Sequence, residues 1–260
     1  MKIHSLFILK NTGVPIYHRN FTNKFKDYDV NLITPFFSAI FSFSETIIKR
    51  KLEELEMSGL RLTFKEENEF IFVLLSDSSV SILFTSTRLI SIADALFREY
   101  YQLDKLRQFK QIENPKFDKQ IDSIIKGEED LLASRDFFDK VIGHFKNLLH
   151  QSEIIGAAIL STKGNIIYSS LPTELLLNSV RELEIRFMSG TLTLPEMFYS
   201  LENGEKVFSK IISEGVGVFQ FFIVLLFEKE VPLGMCEVSL FKISNSLQKL
   251  LRDEIEMIPP

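Results

Sequence analysis

Apolar positions change their period several times along this chain, and each change marks an element. Ile3–Lys10 is a continuous apolar, β-rich run, followed by Asn-Thr-Gly-Val-Pro and then Ile-Tyr-His-Arg-Asn-Phe. This predicts a strand, a loose reversal around Gly13 and a second strand. The pattern then becomes helical. Phe36, Ile40, Phe43 and Ile47 recur at helical spacing and predict the core stripe of a long helix, with Thr34 as its cap and Pro35 at its first position. Phe37, Phe41 and Ile48 widen that stripe to one side, and Ser38, Ser42, Glu45 and Lys49 cover the opposite face. Alternation returns in three segments near 51–57, 59–66 and 69–76, which predict antiparallel strands. Leu89, Ala93, Leu96, Tyr100 and Leu103 predict a second helix. The charged stretch 104–130, with a short helix over 117–125, reads as a connection between domains.

The second half repeats the plan. Ser134 is placed to cap a helix whose apolar face carries Phe138, Val141, Ile142, Phe145, Leu148 and Leu149. A hairpin over 154–169 follows. Thr173 then caps a helix with Leu176, Val180, Leu183 and Phe187 inward. GEKVFSKIIS, GVFQFFIVLLFEKE and VPLGMCEVSLF read as strands, and 243–255 as an amphipathic helix. The implied fold class is α+β: two tandem two-layer α/β sandwiches with antiparallel sheets, over 1–126 and 127–260. The two hairpins also share residues. ILKNTGVPIY and ILSTKGNIIY agree without a gap at Ile8/Ile159, Leu9/Leu160, Gly13/Gly164, Ile16/Ile167 and Tyr17/Tyr168.

Composition narrows the class of function. A length of 260 residues suits two domains. Phe occurs 25 times and Trp never, more aromatic surface than cores need, so some Phe is expected to face partners. The net charge of -5 argues against a nucleic-acid binder. Cys236 is the single cysteine, so no internal disulfide forms. It reads as a small buried hydrophobe, with no histidine near it in sequence to make a thiolate. The start is unlike a signal peptide, and the apolar run 218–227 is half the length that spans a bilayer. The expectation is a cytoplasmic protein with no integral membrane segment, meeting membranes only through partners.

The order of these elements resembles a known pair of families. HSLFILKNTGVPIYHRNF followed by TPFFSAIFSFSETIIKRKLEELEMSGLRLTF resembles a longin domain over residues 1–126. SRDFFDKVIGHFKNLLHQSEIIGAAILSTKGNIIYSSLP, where a helix precedes the hairpin, resembles a roadblock domain or a second longin-like unit. The resemblance implies a docking platform for small Ras-like GTPases, of the kind found in trafficking adaptors, exchange factors and GTPase-activating assemblies. Such domains pair through sheet edges or the long helix. The implied partners are a small Ras-like GTPase, a longin or roadblock protein, or a second copy. No cofactor is implied.

Catalytic motifs are missing from the sequence. It has no G-x-x-x-x-G-K-[ST] phosphate loop, no G-x-G-x-x-G and no G-x-S-x-G elbow. Gly215-Val216-Gly217 reads as a turn between strands. His4 and His18 are expected to face each other across the first hairpin in a role other than metal binding, and His144 and His150 do not share a helix face. The Glu54–Glu56 and Glu182–Glu184 pairs read as solvated faces. The chain is therefore expected to be a non-enzymatic scaffold that alters nucleotide turnover, if at all, in trans. Its expected partner surface is Phe37, Phe41 and Ile48, with Ser44 in the same arc. A rival reading is a sensory module that encloses a small ligand, which a cavity inside either sandwich would favour.

Overall fold

The computed structural model describes residues 2–25, 29–127, 135–150, 154–191, 196–214 and 219–257. The chain forms two compact units, Met1–Glu128 and Glu129–Pro260. In the first, β1 (Ile3–Lys10) and β2 (Pro15–Asn20) form a hairpin that leads into α1 (Val30–Phe43), which ends in a single π-turn (Ser44–Ile48). Then come β3 (Glu54–Met57), β4 (Leu60–Glu67), β5 (Phe70–Asp77), α2 (Ile82–Glu99), α3 (Leu103–Gln108) and α4 (Pro115–Lys126). The second unit opens with α5 (Arg135–His150), then β6 (Gly156–Ser161), β7 (Ile166–Ser169), α6 (Thr173–Met188), β8 (Glu196–Ser200), β9 (Lys206–Glu214), β10 (Phe219–Phe227) and α7 (Leu233–Met257). The sheets run β2-β1-β5-β4-β3 and β7-β6-β10-β9-β8, one topology used twice. Every pairing is antiparallel.

The expected α+β class, two tandem sandwiches with antiparallel sheets, is the one observed, and helices cover both faces of each sheet. Successive strand residues point to opposite faces. Phe7 and Leu9 therefore pack with Phe37, Phe41, Phe64 and Val73 under α1. Leu6 and Ile8 pack with Phe72, Leu89, Ile92 and Phe117 under α2 and α4. In the second unit α5 and α7 share one face, with Phe145, Ile159, Ile223, Leu240 and Leu247 in one core. On the other face α6 lies over Ser209 and Phe222.

In α6 the N-cap is Pro172, with no side-chain bond, rather than Thr173, and Leu175 and Arg186 are buried beside Val180 and Leu183 where Leu176 and Phe187 were expected. The structure corrects the sequence reading in three further elements. First, α1 starts at Val30. The Asp29 carboxylate, not Thr34, caps it by accepting from the Asn31 amide at 2.9 Å. Thr34 lies inside the helix, its hydroxyl donating to the Val30 carbonyl at 2.9 Å, and Pro35 is interior. Second, the stretch read as a connection holds a full core helix. Asn114 caps α4, Pro115 opens it and Gly127 closes it at φ 74°. Phe117, Ile121 and Ile124 are buried, while Tyr17 donates to Asp118 at 2.7 Å and Arg19 pairs with Asp118 and Asp122. Third, VPLGMCEVSLF is the start of α7 rather than a strand. Cys236, Leu240, Ile243, Leu247 and Leu251 line one buried helical stripe. The missing strand is β8, in the long segment after α6. Ser134 and residues 215–217 lie outside the described residues.

The shared hairpin sequence is a shared turn. Lys10 N–H donates to the Val14 carbonyl at 2.9 Å and Gly13 N–H to the Lys10 carbonyl at 2.8 Å. Ser161 and Gly164 repeat both bonds at 2.8 and 3.0 Å, each 151 positions on. Gly13 and Gly164 sit at φ 87° and 86°, where glycine avoids the Cβ penalty. The register slips after Ile8 in one hairpin and after Ile159 in the other. The β8–β9 reversal uses the same pair of bonds at Leu201–Glu205 with Gly204 at φ 87°, yet its sequence is unrelated. A type I turn closed by a left-handed glycine is therefore a local solution the chain uses three times among the described residues.

Candidate partner-binding surface

The long helix α1 has two apolar sides, and the structure reverses their expected roles. Phe37, Phe41 and Ser44 are 4%, 3% and 6% exposed, so these three expected partner residues belong to the first unit's own interior. Phe37 meets the Phe7 and Phe64 rings edge-on, with centroids 5.3 and 6.1 Å away, and Phe41 lies 6.4 Å from Phe64. The Ser44 hydroxyl donates to the Arg50 carbonyl at 2.8 Å and ties off the π-turn. Of the expected four, only Ile48 faces solvent, at 56%. The stripe expected to be core is outside: Phe36, Phe43 and Ile47 are 49%, 56% and 65% exposed, and Ile40 is half-buried.

Close approach explains the reversal. The hairpin turn of β1–β2 packs directly on α1, and a Cβ on Gly13 would stand 3.0 Å from the Pro35 Cα and 3.3 Å from the Ser38 Cβ. Ser38 donates to the Asn11 carbonyl. Small side chains at Thr34 and Ser38 are what let the helix sit this low; of the residues expected on the solvated face, Ser38 is buried at the contact, while Ser42 and Lys49 are exposed.

The outward stripe runs Leu32, Phe36, Ala39, Phe43 and Ile47, all exposed. No charge interrupts it: Glu45, half-buried, is the only charged residue between Asp29 and Lys49. The π-turn presents both Ile47 and Ile48 to solvent and ends at Lys49 in the left-handed region, φ 62°. By length and composition, Val30–Ile48 is a helix able to cross a membrane. In the fold its inner face carries Phe37 and Phe41 onto the sheet, so spanning would uncover that core.

The equivalent helix of the second unit differs. On α6, Glu182 and Arg186 point inward, their side chains 10% and 2% exposed. Arg186 donates to Glu182 at 2.6 Å and to the Ser209 hydroxyl at 3.2 Å, and Ser209 donates to the same carboxylate. The guanidinium also stands over the Phe222 ring at 5.3 Å. The other Glu182 carboxylate oxygen has no hydrogen-bond partner among the described residues. Glu182 was expected on a solvated face; its i,i+4 pairing with Arg186 looks like a surface pair in sequence, and only the fold buries it. Glu54 and Glu56 do face solvent, both beside Arg61. Outward, α6 offers Leu177, Ile185 and Met188 with Arg181 among them.

The titratable groups serve structure. Burial raises the Tyr17 phenol, helped by its bond to Asp118, and burial lowers His18, which stacks on Phe7 at 4.8 Å. His4 and His18 fall on opposite faces of the sheet instead of facing each other. His4 bonds Thr22 and Asp77, both at 2.9 Å, and holds the Asp77 carboxyl below its ordinary value. Burial pushes the Cys236 thiol up, and it is fully enclosed. Among the described residues no three His, Cys, Asp or Glu side chains group as metal ligands. An apolar cavity of about 10 Å³ lies between α5, α7 and the sheet, lined by Phe137, Phe138, Phe221 and Leu247 among others. That is room for about one water and none for a metabolite.

No family model matches the chain, and no curated protein matches it. Among solved structures it is similar to MglB of Myxococcus xanthus, at 17% identity, covering 45% of this chain and 90% of that one with a TM-score of 0.35. It is similar to MglB in a tetrameric arrangement at 13% identity, 45% and 92% coverage and a TM-score of 0.36. It is also similar to the gliding protein MglB from Thermus thermophilus, at 15% identity, 45% and 92% coverage and a TM-score of 0.34. Each of these likenesses spans less than half of the present chain.

Proposed function

We propose that this chain is a non-enzymatic regulatory scaffold built from a longin-like and a roadblock-like domain. It binds a small Ras-like GTPase, another longin or roadblock protein, or both, as part of a cytoplasmic regulatory or trafficking assembly. The observation that carries the reading is the outward face of α1. A helix apolar on both sides is normally covered on both sides, and here only one side is covered, by the sheet. Element order supports the class of role. The first unit runs hairpin, long helix, three strands and further helices, and the second adds a helix before its hairpin, as the family resemblance implies for longin and roadblock domains.

The test is a binding panel. Small GTPases from the same cell are loaded with GDP or a GTP analogue, or stripped of nucleotide, and mixed with the full chain under size-exclusion chromatography with light scattering. A complex with one nucleotide state is expected. Preference for the stripped form would mark an exchange factor, and preference for the GTP form an effector or scaffold. The reading fails if no GTPase and no longin or roadblock protein binds in any state.

A further inference from the structure

We propose that Thr22 is a self-modifying nucleophile: it takes an acyl group from a small activated ester or thioester, with His4 as its general base and Asp77 as the positioning residue. The inference goes beyond the scaffold reading and does not depend on it.

The three side chains come together at one end of the first sheet. His4 lies at the start of β1, Thr22 follows β2 and Asp77 ends β5. His4 is 3% exposed. Its Nε2 lies 2.9 Å from Asp77 Oδ1, and its Nδ1 lies 2.9 Å from Thr22 Oγ1. The second Asp77 oxygen accepts from the Lys2 amide at 3.0 Å. The Phe25 ring stands edge-on to the imidazole at 5.1 Å.

The chemistry of the partners fixes the tautomer. Asp77 is held below its ordinary carboxyl value, chiefly by its bond to His4, so it is a carboxylate and can only accept. Nε2 of the imidazole therefore carries the hydrogen. Nδ1 of the neutral ring is then an acceptor, and Thr22 donates its hydroxyl proton to it. A hydroxyl that donates to an imidazole, itself oriented by a carboxylate, is the arrangement that activates a nucleophile. Thr22 is half-buried, which leaves it open to a donor while its base stays enclosed. Lys24 holds its ammonium over the Phe25 ring at 5.6 Å, a cation in the same corner for the oxyanion that forms.

The second unit shows that the fold does not demand this histidine. Strand pairs recur at an offset of 151 positions, as in Ser5 with Leu75 and Gly156 with Leu226. At that offset His4, Thr22 and Asp77 correspond to Ile155, Thr173 and Glu228. The hydroxyl and the carboxylate recur and the imidazole does not, yet the same sheet forms.

The step balances. Thr22 Oγ attacks the carbonyl carbon as its proton passes to His4 Nδ1. The C–O or C–S bond to the leaving group breaks, the leaving group keeps the electron pair, and His4 gives it the proton. The products are O-acyl Thr22 and a free alcohol or thiol, with no change of oxidation state.

The test uses p-nitrophenyl acetate on the full chain, with the modified residue located by peptide mass spectrometry. A single acetyl group on Thr22 is expected, formed faster as pH rises through one ionisation. Asp77 is the charged group in contact with the imidazole, and Thr22 and Phe25 are its other neighbours, so that ionisation belongs to the His4 base. His4→Gln should slow acetylation of Thr22 by about 100-fold or more. Asp77→Asn should slow it by about 10-fold or more, because the carboxylate sets the tautomer. Thr22→Ser should stay reactive and Thr22→Val should not, with circular dichroism unchanged. Where His4→Gln does not fold, Asp77→Asn and the wild-type pH profile decide. The proposal is overturned if acetyl groups appear on lysines but not on Thr22, or if Thr22 reacts equally fast in a folded His4→Gln or Asp77→Asn chain. A rate with no such ionisation overturns it as well.

Discussion

The two units lay the same helix on the same face of the same five-stranded sheet, with opposite chemistry at the contact. Phe64 pairs with Val73 and Ser209 with Val224, one corresponding place in each sheet. Over Phe64 lie Phe37 and Phe41; over Ser209 lie Glu182 and Arg186. The aromatic contact supplies burial energy. The buried ion pair adds little net stability, because desolvation offsets its attraction, but it fixes where α6 sits. The outward faces differ as well: α6 mixes apolar residues with Arg181, whereas α1 has no charge on its stripe. The contrast sets α1 apart: one side is covered by its own sheet, and the other is a charge-free apolar stripe open to solvent.

The largest expected effect tests the polar contact. Arg186→Leu leaves a carboxylate buried without its cation, and should destabilise the second unit by about 3–5 kcal/mol in urea unfolding. Glu182→Leu combined with Arg186→Leu should recover most of that loss. A double variant as unstable as the single one would show that the pair is not the unit at work. Next comes the inner face of α1. Phe41→Ala should cost about 3–4 kcal/mol by opening a cavity over Phe64. Phe43→Ala, two positions along, should change unfolding at low protein concentration by about 0.5 kcal/mol or less. Equal costs would break the assignment of inner and outer faces.

Smaller effects sharpen the comparison. Gly13 and Gly190 both lie in the left-handed region, at φ 87° and 68°, but a Cβ at Gly13 meets the Pro35 Cα at 3.0 Å, and one at Gly190 meets nothing within 4 Å. Alanine should cost about 1–2 kcal/mol at Gly13 and less at Gly190, from the left-handed φ alone. The smallest is a pH effect. Burial depresses the His18 pKa, so the unfolded chain takes up a proton that the folded chain resists. Stability is then full above the ordinary value of 6.5 and is lost as pH falls below it. The corresponding position opposite Ala158 is Ser169, which does not titrate. His18→Asn should flatten the pH dependence of the first unit's unfolding between pH 6.5 and the depressed value, and a slope unchanged by it would remove His18 as the cause.

Much of the fold was legible because it rests on local signals. Gly13 and Gly164 mark their turns, the alternation of Leu60, Leu62 and Phe64 marks a strand, and the two halves repeat one plan. The docking face was not legible in its phase. Phe36 and Phe37, or Phe43 and Ser44, differ by one helical step, and both arcs of α1 carry large apolar residues. Only the turn at Gly13, pressed against Pro35 and Ser38, decides which arc goes inward. The start of α7 misled for a related reason: Cys236, Val238 and Leu240 alternate over a few residues, and the helical period shows only when Leu247 and Leu251 are included. Glu182 and Arg186 look like a surface pair at any range.

The most direct test of the proposal that α1 is covered on its outer face by a protein partner is hydrogen exchange of the full chain alone and mixed with each GTPase, longin or roadblock protein of the binding panel. Amides of Val30–Ile48 should slow in the complex while those of α6 keep their rates. A complex that forms with exchange across α1 unchanged would contradict the account.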